Sequence, residues 1–308
     1  MPPTLASTEE FKQQIAGVVG IAVTPFDSDG TSIDDEAFEV LIDRAVSAGL
    51  QNITPNGNTS EYFSLTASER LRSVELSRKT APDALIISGI GEAITDVAHT
   101  AGAHLLAGAD AFMVHQPIHP FWSVEGWIDV HKELARAHPG VPLVPYIKDR
   151  RLNAEAIVRL LDSVDEVAAI KYAIGDLEAF AYATAAVPEG RVTWICGLAE
   201  NWAPYFSVGG TKGFTSGLVN VDPQRSLRIS ALLAEGDFAS AIKEQREILE
   251  FEGMRAANSS QHNVSVVKEA LHQLGLCNRT VRPPLSQLDA TDGASVARII
   301  EQWQIRGN

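Results

Sequence analysis

The chain has 308 residues, 45% hydrophobic and 21% charged, the composition of an ordinary globular protein, long enough for one large α/β domain with an extension or for two smaller domains. Its 25 Lys and Arg against 39 Asp and Glu leave a net charge of −14, which argues against nucleic acid and anionic membrane as partners because both reward clustered cations. Two cysteines, Cys196 and Cys277, far apart and without a CxxC spacing, argue against a disulfide framework and a thiolate zinc site. The amino-terminal stretch lacks the basic start and apolar centre of a secretory signal, and no apolar run approaches the roughly 20 residues that cross a bilayer. The expectation is a cytoplasmic protein.

In chain order, short β-branched or apolar runs at residues 20–24, 50–54, 85–88, 111–114, 141–146, 167–171, 192–196 and 213–215 read as strands. Most are followed by helical spacing, as in 34–48 (Phe38, Leu41, Ile42, Ala45), 66–79 (Leu71, Val74, Leu76) and 153–163 (Ile157, Leu160, Leu161). Thr66 with Glu69 three residues on fits a capping box, and Asn153 and Asp176 each stand before an apolar-periodic run. Eight strand-then-helix units predict an α/β fold, a parallel sheet closed into a (β/α)8 barrel. The strands are nearly continuous apolar runs, as a sheet covered on both faces requires; a doubly wound sheet is the competitor and usually brings fewer strands. After residue 236 only helical patterns continue, at 238–258, 264–274 and 294–304, with a Pro283-Pro284 turn before the last. The expected organisation is a barrel over residues 1–236 and a C-terminal helical extension over 237–308 packed on it.

Reactive residues of such a barrel lie at the C-terminal ends of its strands. Lys171 ends the run Val167-Ala168-Ala169-Ile170. A strand-end lysine ordinarily packs its stem and sends its ammonium to water; buried inside a barrel, its pKa falls and the neutral amine becomes a nucleophile for a carbonyl. Tyr146 ends the fifth run, where a core aromatic is the ordinary reading. Neighbouring strands aim Tyr146 and Lys171 into one barrel mouth, and a phenol beside an amine can carry protons. The loop Pro55-Asn56-Gly57-Asn58-Thr59-Ser60-Glu61 is a simple turn by composition, or a cradle for a carboxylate built from backbone N–H groups and the Thr59 and Ser60 hydroxyls. Gly89-Ile90-Gly91 lacks the third glycine of a dinucleotide fingerprint, and is read as a tight turn. His115 and His119 are separated by Pro117, which predicts a loop at the pocket rim and not a helical metal pair.

The 57–61 loop, Tyr146, and the Ile170-Lys171 strand end followed by Gly175-Asp176, in this order and separation along nearly the whole chain, resemble the dihydrodipicolinate synthase/N-acetylneuraminate lyase family. The resemblance implies a Schiff-base class I lyase on a (β/α)8 barrel, with Lys171 as the imine-forming residue, Tyr146 as the proton shuttle, and Asn58, Thr59 and Ser60 as the carboxylate site, Thr59 belonging also to the catalytic set. Gly197 and Thr215 match positions that line the pocket. The family loop is commonly Gly-Thr-Thr-Gly-Glu or Gly-Gly-Thr-Gly-Glu; here Asn58 and Ser60 depart from it. Dihydrodipicolinate synthases place a tyrosine after strand four, and this chain has His115-Gln116-Pro117-Ile118-His119-Pro120 there.

Glu61-Tyr62-Phe63-Ser64-Leu65, Phe214-Thr215, Val219-Asn220, Val264-Ser265-Val266-Val267-Lys268 and Val281-Arg282-Pro283-Pro284-Leu285 are similar to the 5-dehydro-4-deoxyglucarate dehydratase branch. That branch usually follows its tyrosine with Asn-Arg-Asp, where this chain has Ile147-Lys148-Asp149. Lys148 keeps the charge without the guanidinium fork; Arg150 and Arg151 either compensate or are solvated residues before a helix. The resemblance thus implies a dehydratase of a 2-keto-3-deoxy sugar acid, with a pyruvate-dependent aldolase or a condensing synthase as alternatives sharing the same imine. It implies no cofactor beyond that covalent lysine imine, no metal, a small 2-oxo acid as the ligand, and a homotetramer. A barrel that binds a keto acid without turning it over, and a nicotinamide-dependent oxidoreductase, are the alternatives from other classes.

Overall fold

Eight parallel strands, each covered by a helix, close on themselves in a computed structural model that describes residues 8–91, 95–305 and 307. Residues 1–7, where the stretch read as lacking a secretory signal begins, lie outside the described residues. The order is α1 (Thr8–Gln14), β1 (Gly17–Ile21), α2 (Asp35–Ser47), β2 (Asn52–Thr54), α3 (Ala67–Thr80), β3 (Leu85–Ile90), α4 (Val97–Leu106), β4 (Ala111–Val114), α5 (Val124–Ala137), β5 (Leu143–Ile147), α6 (Ala154–Leu161), β6 (Ala169–Tyr172), α7 (Leu177–Ala186), β7 (Thr193–Cys196), α8 (Ala199–Val208), β8 (Gly213–Ser216) and α9 (Pro223–Ala234). Each strand pairs with the next, and β8 returns to β1 with Gly17 opposite Gly213 and Val19 opposite Thr215. Closure excludes the doubly wound sheet.

Local chemistry sets the helix starts. Asp34, Asn153 and Asp176 accept N–H groups from the first turns of α2, α6 and α7, and Thr66 and Glu69 complete the capping box of α3. The first strand lies at 17–21 and not at the expected 20–24. Its pairing with β8 begins at Gly17. Beyond Ile21, side chains of distant segments replace ladder partners: the Val23 N–H donates to Asn220 Oδ1, and the Thr24 hydroxyl donates to the Ser60 carbonyl. The helix α1, not anticipated from the sequence, packs Phe11, with Ile15 just after it, against the barrel interior beside Val19, Ile87, Met113, Val144 and Ile195. The opposite faces of the strands, such as Ile170, Tyr172 and Phe214, form the layer between barrel and helices. Period-two alternation therefore decides which residues face the interior.

After α9 come α10 (Phe238–Arg246), α11 (Leu249–Ser260), α12 (Asn263–Gln273) and α13 (Ala290–Trp303). No helix among the described residues is long and apolar enough to cross a membrane. The extension is bolted to the loop after β2 by a fully buried ion pair, Lys268 Nζ to Glu61 Oε1 at 2.5 Å. Glu61 Oε2 also accepts the Arg282 N–H at 2.9 Å, and Lys268 donates to the Thr280 carbonyl at 2.7 Å. Burial pushes the Lys268 ammonium down while Glu61 holds its charge up. Removing one member of such a pair leaves an uncompensated charge in a dry site. Lys268→Met is expected to lower unfolding free energy by about 3–5 kcal/mol in guanidinium denaturation, with Glu61→Gln restoring part of it in the double variant. A loss below about 1 kcal/mol would mean that the pair does not hold the extension.

Candidate active site

Lys171 and Tyr146 stand opposite each other in the parallel register of β5 and β6, so both side chains enter the barrel at one level. Lys171 is only 4% exposed. Its Nζ lies 4.2 Å from the centroid of the Tyr146 ring and 3.7 Å from Met113 Sδ. Among the described residues no carboxylate pairs with it. Burial lowers its pKa to about 7, and the nearby Lys148 charge pushes the same way against a smaller opposing effect of Cys196. The contrast with Lys268 is instructive: two buried lysines, one neutralised by a carboxylate and one left with a thioether and a phenol ring. A thioether is a weak acceptor and a ring face a weak cation partner, so neither replaces the lost hydration.

The lane for the lysine stem exists because residue 197 has no side chain. A Cβ there would stand 2.7 Å from Ala173 Cβ and 3.0 Å from Lys171 Cγ, and the Gly197 N–H donates to the Tyr172 carbonyl at 2.7 Å, fixing the approach. Tyr146 is nearly buried, which raises its pKa, while Asn58 Nδ2 at 3.5 Å from its hydroxyl acts weakly in the other direction.

Across the barrel, the loop after β2 is tied down from inside. Ser60 carries most of that work: its hydroxyl donates to the Ala22 carbonyl and accepts the Gly57 N–H at 3.0 Å, and its own N–H donates to the Gly57 carbonyl. The Ser60 hydroxyl is therefore not free for a ligand, which corrects the expectation that it donates to a carboxylate. Asn56 and Glu61 adopt left-handed backbone angles, φ 64° and 60°, at the two ends of the loop. His115 holds the first end: its Nε2 donates to the Asn56 carbonyl at 2.8 Å, its ring stacks on Tyr62 at 4.2 Å, and burial lowers its pKa to about 4. Gly89 makes that contact fit, since a Cβ there would fall 2.0 Å from the Asn56 carbonyl oxygen. What remains unpartnered among the described residues is the Thr59 hydroxyl with the Asn58 and Thr59 N–H groups, a compact set of donors.

Thr215 faces the interior from β8, level with Val19. Lys148 is exposed just beyond β5, its N–H on Gln116 Oε1 at 2.9 Å. Arg151 is not brought into the site. Its guanidinium grips Asp149 at 2.7 Å and lies 3.7 Å over the Trp122 ring, and Arg150 pairs with Asp176 at 2.6 Å. His119 is exposed and accepts the Phe121 N–H. A hollow of about 650 Å³ bordered by Lys12, Gly17 and Gly213 opens at the starts of β1 and β8, far from these strand ends and holding none of these residues.

Residues 14–303 match the model of the Dihydrodipicolinate synthetase family. A probable 5-dehydro-4-deoxyglucarate dehydratase of Rhizobium rhizogenes is 27% identical over 95% of this chain and 97% of its own length. A 4-hydroxy-tetrahydrodipicolinate synthase of Hyphomonas neptunium is 29% identical over 91% and 95%. Among solved structures, a dihydrodipicolinate synthase from Oceanobacillus iheyensis superposes with a TM-score of 0.92 at 32% identity, covering 96% of this chain and 99% of that one.

Two glycine substitutions test the packing around the lysine. Gly197→Ala should lower stability by about 1–3 kcal/mol in denaturant titration, because the new methyl overpacks a filled lane. Gly253→Ala, on α11 with open space around it, should raise stability by about 0.5–1 kcal/mol. The same sign for both would contradict this packing.

Proposed function

The chain belongs to the dihydrodipicolinate synthetase family and is a class I lyase, and on that premise we propose that it acts on small 2-oxo acids through an imine formed by Lys171. Membership sets aside a purely binding role and the nicotinamide oxidoreductase. The observation that carries the proposal is the buried Lys171 amine beside the Tyr146 ring, with no carboxylate partner among the described residues, and a loop whose Asn58 and Thr59 donors have no partner among those residues. An amine with a pKa of about 7 is substantially neutral at physiological pH, and only the neutral form attacks a carbonyl.

In the proposed reaction, the Asn58 and Thr59 N–H groups and the Thr59 hydroxyl hold the C1 carboxylate. The Lys171 lone pair forms the N–C2 bond as the carbonyl electrons move to oxygen. Tyr146 relays two protons to that oxygen, one from the attacking nitrogen and one from solvent, and water leaves to give the protonated imine. That cation accepts the electron pair of a C3–H bond while the proton passes to Tyr146 as its phenolate, giving an enamine, and the same proton is later available to the leaving hydroxyl. In a 2-keto-3-deoxy sugar acid the enamine then expels the C4 hydroxyl, which takes up a proton and leaves as water, and hydrolysis returns the amine. Gly197 and Thr215 line the path of the chain, and Lys148 adds positive potential at its edge. No cofactor beyond the imine enters these steps, and the family pattern supports a tetramer in the cytoplasm. The dehydratase reading rests on the segments after β2 and β8 and in α12 that are similar to that branch, and on the absence of a tyrosine at residues 115–120.

Borohydride reduction in the presence of pyruvate should add a covalent mass to the wild type and none to Lys171→Ala; an unmodified wild type would overturn the imine. Tyr146→Phe should keep the fold and lower kcat by about 10²–10⁴-fold. On a panel of 2-keto-3-deoxy sugar acids, mass spectrometry should find loss of water, with or without carbon dioxide. Release of pyruvate would move the activity to the aldolases, and condensation of pyruvate with an aldehyde to the synthases.

A further inference from the structure

Behind the end of β8 lies a buried carboxyl that the steps above do not use. Glu200, the second residue of α8, is fully buried. Ala199 before it takes a left-handed backbone angle, φ 58°, which only the surrounding packing sustains at a residue with a Cβ. Glu200 Oε1 accepts the Ser216 hydroxyl of β8 at 2.5 Å and the Ser226 hydroxyl of α9 at 2.6 Å. The Ser216 oxygen in turn accepts the Val219 N–H at 2.9 Å, so one carboxyl oxygen secures the turn that follows the strand. Glu200 Oε2 is also buried and has no partner among the described residues. The neighbouring charges do not neutralise it. Glu252, on α11, opposes its ionisation, and the Arg255 guanidinium is already taken by Glu252 Oε1 at 2.6 Å and by Asn263 Oδ1 at 3.2 Å. On α9 and α10, Arg225, Arg228 and Glu244 pair with one another and with Asp222. The buried residue of α10 beside α8 is the neutral Gln245, on the Asn201 carbonyl at 3.1 Å. From β7 comes Cys196, whose pKa burial pushes up to about 12.

Two buried carboxyls therefore share one guanidinium. Were both ionised, half of the Glu200 charge would sit on Oε2 in a dry site with nothing donating to it. An unpaired buried charge costs far more than an unpaired buried hydroxyl. We propose that Glu200 is held as the neutral acid, with its proton on Oε2, and in that form is a positioning residue for the end of β8. The link to the candidate site is short. Ser216 stands between Thr215, which faces the barrel interior level with Val19, and Gly217. A Cβ at Gly217 would lie 2.4 Å from Arg255 Nη2 and 3.3 Å from Thr59 Cγ2, so a shift of this turn is felt at the loop after β2. Ionising Glu200 sets two like charges against each other beside the turn. Burial and the Glu252 charge raise the Glu200 pKa to about 7, which brings that event into the neutral range. The folded protein keeps the proton up to about pH 7, while the unfolded chain releases it near 4.5. The contribution to stability is therefore full below 4.5, is lost as pH rises to about 7 and stays lost above. The positioning role rests on the imine reading of Lys171; the buried proton does not.

Difference infrared spectra of the wild type between about pH 5 and 9 should show a carboxylic C=O band that disappears near pH 7, where exposed carboxylates are already ionised. Glu200→Gln copies the shape of the neutral acid, keeps an oxygen for both serines, and should lack that band. Relative to wild type, its unfolding equilibrium constant in guanidinium should fall at least about tenfold from pH 5 to pH 8. The third readout is the pyruvate concentration giving half-maximal borohydride adduct, taken as the ratio of wild type to Glu200→Gln so that the titration of Lys171 cancels. That ratio should rise over the same range. A missing band with a flat stability difference, or a Glu200→Gln chain that does not fold, would overturn the neutral acid. A flat trapping ratio would overturn the positioning role and leave the imine intact. No adduct on the wild type would overturn the imine, and the positioning role with it.

Discussion

Taking an amine out of water without giving it a counter-charge is costly, and the barrel does so at Lys171. The energetic consequence has a definite sign. The folded amine releases a proton near pH 7 that the unfolded chain keeps up to the ordinary lysine range, so this residue costs stability, and the cost grows as pH falls from about 10.5 to about 7 and is then constant. A fold keeps such a residue only if the rest of the structure over-determines it. The closed barrel supplies that constraint: the register of β5, β6 and β7 leaves the stem no route outward, and the missing side chain at Gly197 leaves it one route inward.

The loop opposite the lysine is organised on the reverse principle. There every buried charge is matched. Glu61 sits at a left-handed position and meets Lys268 from α12 and the Arg282 N–H from the segment before α13, while Ser60 and His115 secure the loop's interior. The donors left over at Asn58 and Thr59 are consequently held without a ligand. The C-terminal helices therefore belong to the site's architecture: one face of the extension anchors the loop through Lys268, and another sends Arg255 over Gly217.

Much of this was legible in the sequence because it rests on local periodicity. Strand runs, the caps at Thr66, Asn153 and Asp176, and the pairing of Tyr146 with Lys171 all follow from alternation and strand order. The errors share a different cause. The first strand was placed three residues late because side-chain bonds to Asn220 and Ser60 continue the extended chain past the ladder. Ser60 looked like a ligand donor, since a hydroxyl in a glycine-rich loop gives no hint that its only proton is already donated to Ala22. Arg151 reads as available in the sequence, where nothing shows that Asp149 and Trp122 enclose it in the fold. Lys268 stands in a segment similar to the dehydratase branch, but nothing local names its partner Glu61, more than 200 residues earlier, and that contact emerges from closure alone.

The central claim, an uncharged amine inside the barrel at neutral pH, is open to direct titration. With protein carrying ¹⁵Nζ-labelled lysine, and Lys171→Met to assign its resonance, nuclear magnetic resonance across pH 5–11 reads the protonation of that one group. A midpoint near 7 is the result this account predicts; a midpoint at the ordinary lysine value of about 10.4 would contradict it.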